Sequence, residues 1–411
     1  MKRKKIFIFF CLILAGCFLA AEMAVRQISY TDIDRNCYFQ GVRIKPFRLP
    51  LTSTGKLLDR YRSSSSSYMI YDADLGWDCR PGGKSRNGLY KYNSLGIRSA
   101  PREYPLTSDK KKFRIMLFGD SFTHCDDVAF EKSWGYYLEK NLQTAGIPAE
   151  VINLGVGGYG MDQALLRWRK LGRRFSADLV IFGFMPDNVK RNVNMFRKMI
   201  YPPTGIPFSK PRFIEEGDSL KPVNAPTVPL GKLMETLRNF NDWKFAPYEF
   251  FFHPGDFQKH FWQKSRFISL TGRVLEYLTQ GKFSSKGRAD VYFSLKSEPA
   301  RISLKIIRKF KQEVEAAGAH FMIVHLISDE FLGYLLKGEK LVYREMLKEL
   351  DKHYQVIHPE SDLLKAARNS SSASLFRGHY SPKGNRVVAD SVARYILESR
   401  KKIVLQSSPQ K

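Results

Sequence analysis

Five short apolar runs, rich in Val, Ile, Leu and Phe, are the feature that most limits how this chain can fold: FRIMLFG (113–119), AEVINLG (149–155), ADLVIFGF (177–184), HFMIVHL (320–326) and YQVIHP (354–359). Helical periodicity appears between and after them, near 132–145, 161–173, 298–317, 339–352 and 381–398. Strands this uniformly apolar are buried on both faces, and helical crossovers make them parallel, so the expected fold is α/β with three layers around a five-stranded parallel sheet. Right-handed crossovers gather the strand C-termini along one edge, where ligands of such sheets bind. One interval breaks the rhythm. Residues 185–319 separate the third strand from the fourth, whereas a crossover needs only a dozen or so residues. The excess, about 200–297, reads as an insertion capping the active edge. Its aromatic stretch WKFAPYEFFFHPGDFQKHFW (243–262) reads first as the insertion's own small core and second as a sugar-stacking platform.

The chain of 411 residues opens with four basic residues, Lys2 to Lys5, followed by an apolar run from Ile6 to Ala21 that ends at Glu22. Sixteen residues fall just short of the roughly 17–25 of a spanning helix and exceed what a cleaved signal needs. Residues 1–24 are therefore expected to be a signal anchor or, since LAGC ends at Cys17, a lipoprotein signal. Either places the rest of the chain outside the cytoplasm and tethers it to a membrane, with the basic end held inside.

Sixty-seven Lys and Arg against 40 Asp and Glu give +27. The basic residues are scattered, with no arginine-rich arm or RNA-binding aromatic motif, so nucleic acid is not an expected partner. The charge suits anionic glycans or phospholipid head groups. Residues 25–110 form a lead-in rich in turn signals, with SSSSS (63–67) as a mobile loop or spacer. An oxidising compartment would permit a Cys37–Cys79 bridge.

Four segments fall at strand C-termini or just beyond: Gly119-Asp120-Ser121, NLGVGGYG (153–160), FMPDNVKRN (184–192) and GHYSPKGN (378–385). A serine at such a junction is by default a helix cap. Taken together and in order, the four resemble the SGNH/GDSL hydrolase superfamily, over roughly 111–200 and 300–400. The resemblance implies a flavodoxin-like α/β/α domain at 111–400. It makes Ser121 the nucleophile, His379 its base, and Ser121, Gly158 and Asn188 the oxyanion donors. Two departures accompany it. The third block reads Asp187-Asn188 instead of Asn-Asp, and the Asp expected three residues before His379 is Phe376. A backbone carbonyl or Asp362 is then the expected support for the imidazole, and His124 a residue of the pocket or of the helix surface.

His325 reads as a core histidine, and His253, His260, His320, His353 and His358 show no metal-ligand spacing, so neither metal nor cofactor is expected. NLGVGGYG lacks the registers of nucleotide-binding loops. The expected activity is hydrolysis of O-acyl, above all O-acetyl, esters on a cell-envelope or extracellular polysaccharide. The alternatives are O-acyl transfer to such a polymer and glycan binding without catalysis. Oligomeric state is left open.

Overall fold

The central strand is β1, Phe113–Phe118, with Ile115, Met116, Leu117 and Phe118 fully buried. It pairs in parallel with β2 (Ala149–Asn153) on one side and β3 (Leu179–Phe184) on the other, while β4 (His320–His325) extends the sheet from β3 and β5 (Val356–Ile357) from β4. The order β2-β1-β3-β4-β5 is a doubly wound sheet with its switch point between β1 and β3. The structure is a computed structural model that describes residues 2–63, 67–99, 102–107, 111–279 and 291–407.

The helices of this domain are α1 (Ser121–His124), α2 (Trp134–Thr144), α3 (Met161–Lys170), α4 (Asn188–Arg191), α5 (Glu298–Ala316), α6 (Asp329–Leu336), α7 (Arg344–His353), α8 (Glu360–Arg368) and α9 (Pro382–Ser407). Strand order reverses after β2, so right-handed crossovers send α2 and α3 to opposite faces. On one face α2 packs on α9 and α9 on α8; on the other α3 packs on α5. Phe310 of α5 anchors the second interface: its ring lies 5.4 Å from Phe118, 5.8 Å from Phe182, 6.1 Å from Trp168 and 5.4 Å from Phe321.

The strands lie where the apolar runs predict. Helices α6 and α8 are additional, each too short to display a clear period in sequence. The described residues divide into two compact units, and the division differs from the expected one. The first unit comprises residues 1–60, 196–207 and 231–288; the second, which carries the sheet, comprises 61–195, 208–230 and 289–411. The lead-in therefore splits near residue 60 instead of ending as a block at 110. The insertion does not form a single cap either. Its hairpin Arg212–Glu216/Ser219–Val223 stays with the sheet domain because Lys210 forms a buried ion pair with Asp162 of α3, and Arg212 reaches the carbonyl of Val193 and the Glu298 carboxylate.

Within the first unit, part of the aromatic stretch packs as a small core: Phe252 lies 4.7 Å from Phe257 and 4.5 Å from Phe240, ring to ring, whereas Phe261 and Trp262 are exposed. The N-terminal helix runs from Lys2 to Ile28, beyond the apolar run, and is long and apolar enough to cross a membrane. Its Glu22 carboxylate accepts from the N–H groups of Arg266 and Phe267, opening helix Arg266–Thr279, and Phe18 meets Phe267 edge-on at 5.8 Å. All five cysteines are free, so the Cys37–Cys79 bridge that an oxidising compartment would permit is not formed. Of the serine run, 64–66 lie outside the described residues.

Phe310→Ala removes the ring shared by four aromatic neighbours and leaves a cavity that the sheet cannot close. The expected loss is about 3–5 kcal/mol of stability, read by chemical denaturation.

Candidate active site

Ser121 does not cap the helix that follows β1; Asp120 does. Oδ1 of Asp120 accepts from the N–H of Phe122 at 2.9 Å, which leaves Ser121 as the first residue of α1. Its N–H lies outside the helix's own hydrogen-bond ladder. Gly119 makes the approach possible, because a Cβ there would collide with Thr123 Oγ1 and come within 3.2 Å of the Gly183 carbonyl. Ser121 Oγ is 2.9 Å from Nε2 of His379.

His379 stands in a two-residue hairpin, Phe376–Arg377 against His379–Tyr380, turned by Gly378 at φ +82°. Its ring packs 5.0 Å from that of Phe122, and its Nδ1 lies 2.7 Å from Oδ2 of Asp127. Asp127 is only six residues after Ser121. The chain leaves α1 through Cys125 and Asp127, both left-handed at φ +61° and +70°, and so curls back to bring this carboxylate behind the histidine. Arg98, buried, donates to the carbonyls of His124, Cys125 and Val128 around that curl. Asp127 N–H donates to the Tyr90 hydroxyl at 2.9 Å.

The glycine loop after β2 closes the other side. Asn153 Nδ2 donates to the Thr123 carbonyl at 2.7 Å and its Oδ1 accepts from Gly155 N–H. A Cβ at Gly155 would meet the His124 nitrogen at 2.5 Å, so loop and helix touch backbone to backbone. Gly158 follows at φ +81°, and the neighbouring Gly157 carbonyl accepts from the Trp77 indole of the lead-in. After β3, Asn188 opens α4 fully buried, with no hydrogen-bond partner for its Oδ1 among the described residues. Asp187 is instead half-buried and 3.7 Å from Lys190 Nζ. Arg191 of α4 joins three blocks by donating both to Asp120 Oδ2 and to the Tyr159 carbonyl, each at 2.9 Å.

Other sequence expectations are corrected. Asp362 takes no part in this site; its carboxylate is paired with Arg394. His124 lies neither in an open pocket nor on a helix surface: it is 1% exposed, its Nε2 2.8 Å from the Tyr92 hydroxyl and its Nδ1 beside Asp126. Burial, with the nearby Arg98 charge, pushes it down to about 4, so at neutral pH it is an uncharged ring. His358, read as lacking a metal-ligand set, meets His325, read as a core histidine, and Glu360 in one place. Asp127, Arg98, Tyr90 and Arg191 are the residues that motif reading missed. The one sequence signal for a carboxylate behind His379 is the doubled Asp126-Asp127, five and six residues after Ser121.

His124 generates a pH prediction. Folded, it takes a proton only near pH 4, whereas unfolded it does so near 6.5, so the unfolded state gains protons across that window. Stability is expected to fall by up to about 3 kcal/mol as pH drops from 6.5 towards 4. Denaturation midpoints against pH should show this limb in the parent and a flatter one in His124→Gln.

No family model matches the chain, and no curated protein matches it. Among solved structures it is similar to a lipolytic protein of the G-D-S-L family from Desulfitobacterium hafniense DCB-2, 14% identical with a TM-score of 0.33, over 69% of this chain and 98% of that one. A G-D-S-L family protein from Veillonella parvula DSM 2008 is 11% identical with a TM-score of 0.35, over 68% and 96%. An acetyl xylan esterase is 13% identical with a TM-score of 0.35, over 69% and 99%. The structural likeness of the chain is thus to G-D-S-L lipolytic proteins and an esterase, at low identity.

Proposed function

We propose that the chain is a serine ester hydrolase using Ser121, His379 and Asp127. The observation that carries this reading is the unbroken relay from Ser121 Oγ to His379 Nε2 at 2.9 Å and from His379 Nδ1 to Asp127 Oδ2 at 2.7 Å. Ser121 Oγ attacks the ester carbonyl while His379 takes its proton, and the carbonyl oxygen becomes an oxyanion. The donors assigned to that oxygen are the N–H groups of Ser121 and Gly158 and the side-chain amide of Asn188. On collapse the C–O bond to the alcohol breaks, and the alcohol leaves with the proton held by His379. Water then attacks the acyl-serine, giving its proton to the same nitrogen, and releases the carboxylic acid. Asp127 fixes the tautomer that leaves Nε2 basic and stabilises the imidazolium. It fills the role whose vacancy before His379 would favour a protein that only binds.

The finer reading is an O-acyl, above all O-acetyl, esterase of an envelope or extracellular polysaccharide, held on the extracytoplasmic side by an uncleaved anchor. The apolar N-terminal helix and the charge of +27 support it. So does the exposed apolar stripe Ile268, Leu275 and Leu278 on the helix that Glu22 caps, which suits the surface of the same bilayer.

Hydrolysis of p-nitrophenyl acetate by the full chain in detergent tests the chemistry. Ser121→Ala and His379→Ala should abolish turnover, and Asp127→Asn should lower kcat on the order of 10⁴-fold, while Asp362→Asn leaves it unchanged. Equal rates for parent and Ser121→Ala would falsify the proposal. The mass of the mature protein isolated from membranes tests the anchor: retention of Lys2–Ile28 is expected, and a chain beginning at or after Cys17 overturns it.

A further inference from the structure

We infer that His325, His358 and Glu360 form a binding site for one divalent transition-metal ion of the Zn²⁺ class, separate from the Ser121 relay. The sheet itself creates the meeting point. His325 ends β4, and β5 pairs beside it in parallel with Val324 opposite Ile357. One step further along this register brings His358 opposite His325, with ring centroids 6.0 Å apart. Glu360 opens α8 two residues later. One ligand atom from each residue can be chosen so that all lie within 4.8 Å of one another.

The orientation of the rings is that of ligands. Each histidine turns Nδ1 to the Glu360 carboxylate, at 3.0 Å for His325 and 2.8 Å for His358. Each has its Nε2 engaged behind: His325 with the Tyr343 hydroxyl at 3.2 Å, His358 with Asp351 Oδ1 at 2.8 Å. Metal-bound histidines carry such a partner on the other nitrogen, which fixes the tautomer and raises the basicity of the ligating atom. Asp351 behind His358 makes the carboxylate–histidine pair most often found there.

A second observation points the same way. His325 is fully buried, yet its Nδ1 and the facing Oε2 of Glu360 make no hydrogen bond to any described group, although they are 3.0 Å apart. Two buried polar atoms this close but misaligned for each other leave a costly deficit. A shared cation satisfies both. The His358 side chain is 35% exposed, so the site has an entry path. Two imidazoles and one carboxylate suit Zn²⁺ and its neighbours in the transition series; Ca²⁺ and Mg²⁺ call for all-oxygen sets. A bound ion would tie the two-residue strand β5 and the start of α8 to the centre of the sheet.

The test uses the full chain in detergent, without a polyhistidine tag, stripped with chelator and then exposed to Zn²⁺. Expected are one tightly held zinc per chain by elemental analysis and a melting temperature that rises with Zn²⁺ and falls back with chelator. Glu360→Gln and His358→Gln should lose both the zinc and the shift. Asp351→Asn, on the surface, should keep the stoichiometry but weaken affinity about 10–100-fold. A parent that neither retains zinc nor shifts overturns the site, as do variants that bind like the parent. In either case the cluster is an internal ion-pair network. Because zinc content and melting are read without substrate, the outcome is independent of the esterase reading.

Discussion

The guanidinium of Arg98 is the interaction on which this site depends. Helix α1 is a single turn, so the carbonyls at its end have no partners within the helix. The chain then leaves it through two left-handed residues, Cys125 and Asp127, a conformation that non-glycine residues adopt at a cost. Arg98 offsets both problems by donating to the carbonyls of His124, Cys125 and Val128, and its charge lies 4.9 Å above the Tyr90 ring. The curl so stabilised holds the Asp127 carboxylate behind His379.

The lead-in segment is therefore part of the wall of the candidate site. Arg98, Tyr90, Tyr92 and Trp77 all come from residues 67–99, and each reaches the Ser121 helix, its curl or the glycine loop. Arg191 performs the corresponding task from the third strand's side, joining Asp120 to the carbonyl of Tyr159. Ser121, the glycine loop and α4 thus follow β1, β2 and β3, three neighbouring strands, and are cross-linked by buried polar contacts. Only His379 and its hairpin arrive from elsewhere, and they are seated through Tyr380, whose hydroxyl accepts from the N–H of Ile327 just past β4.

Much of this was legible from the chain. Uniformly apolar strands announce themselves because burial on both faces leaves no room for polar residues, as at Ile115–Phe118. The glycines of the loop and the Gly-Asp-Ser junction are equally visible, since close backbone approach excludes a Cβ. Asp127 was not legible as the carboxylate behind His379. Its role follows from the direction of a curl set by residues about thirty positions upstream. The division of the insertion was hidden for a similar reason: Lys210 and Arg212 look like ordinary surface charges until Asp162 and Glu298 are placed beside them.

By itself, the sequence determined the parallel sheet, its C-terminal edge, the serine and the histidine brought to that edge, and an apolar N-terminal helix. These are local consequences of residue type and period, and local physics suffices to read them. The tertiary structure alone decided which carboxylate stands behind His379, that Asn188 and not Asp187 is buried beside the edge, and that His325 and His358 become neighbours. Each of those depends on where distant segments meet, because a side chain's partner is set by packing and strand register, which adjacency along the chain does not encode.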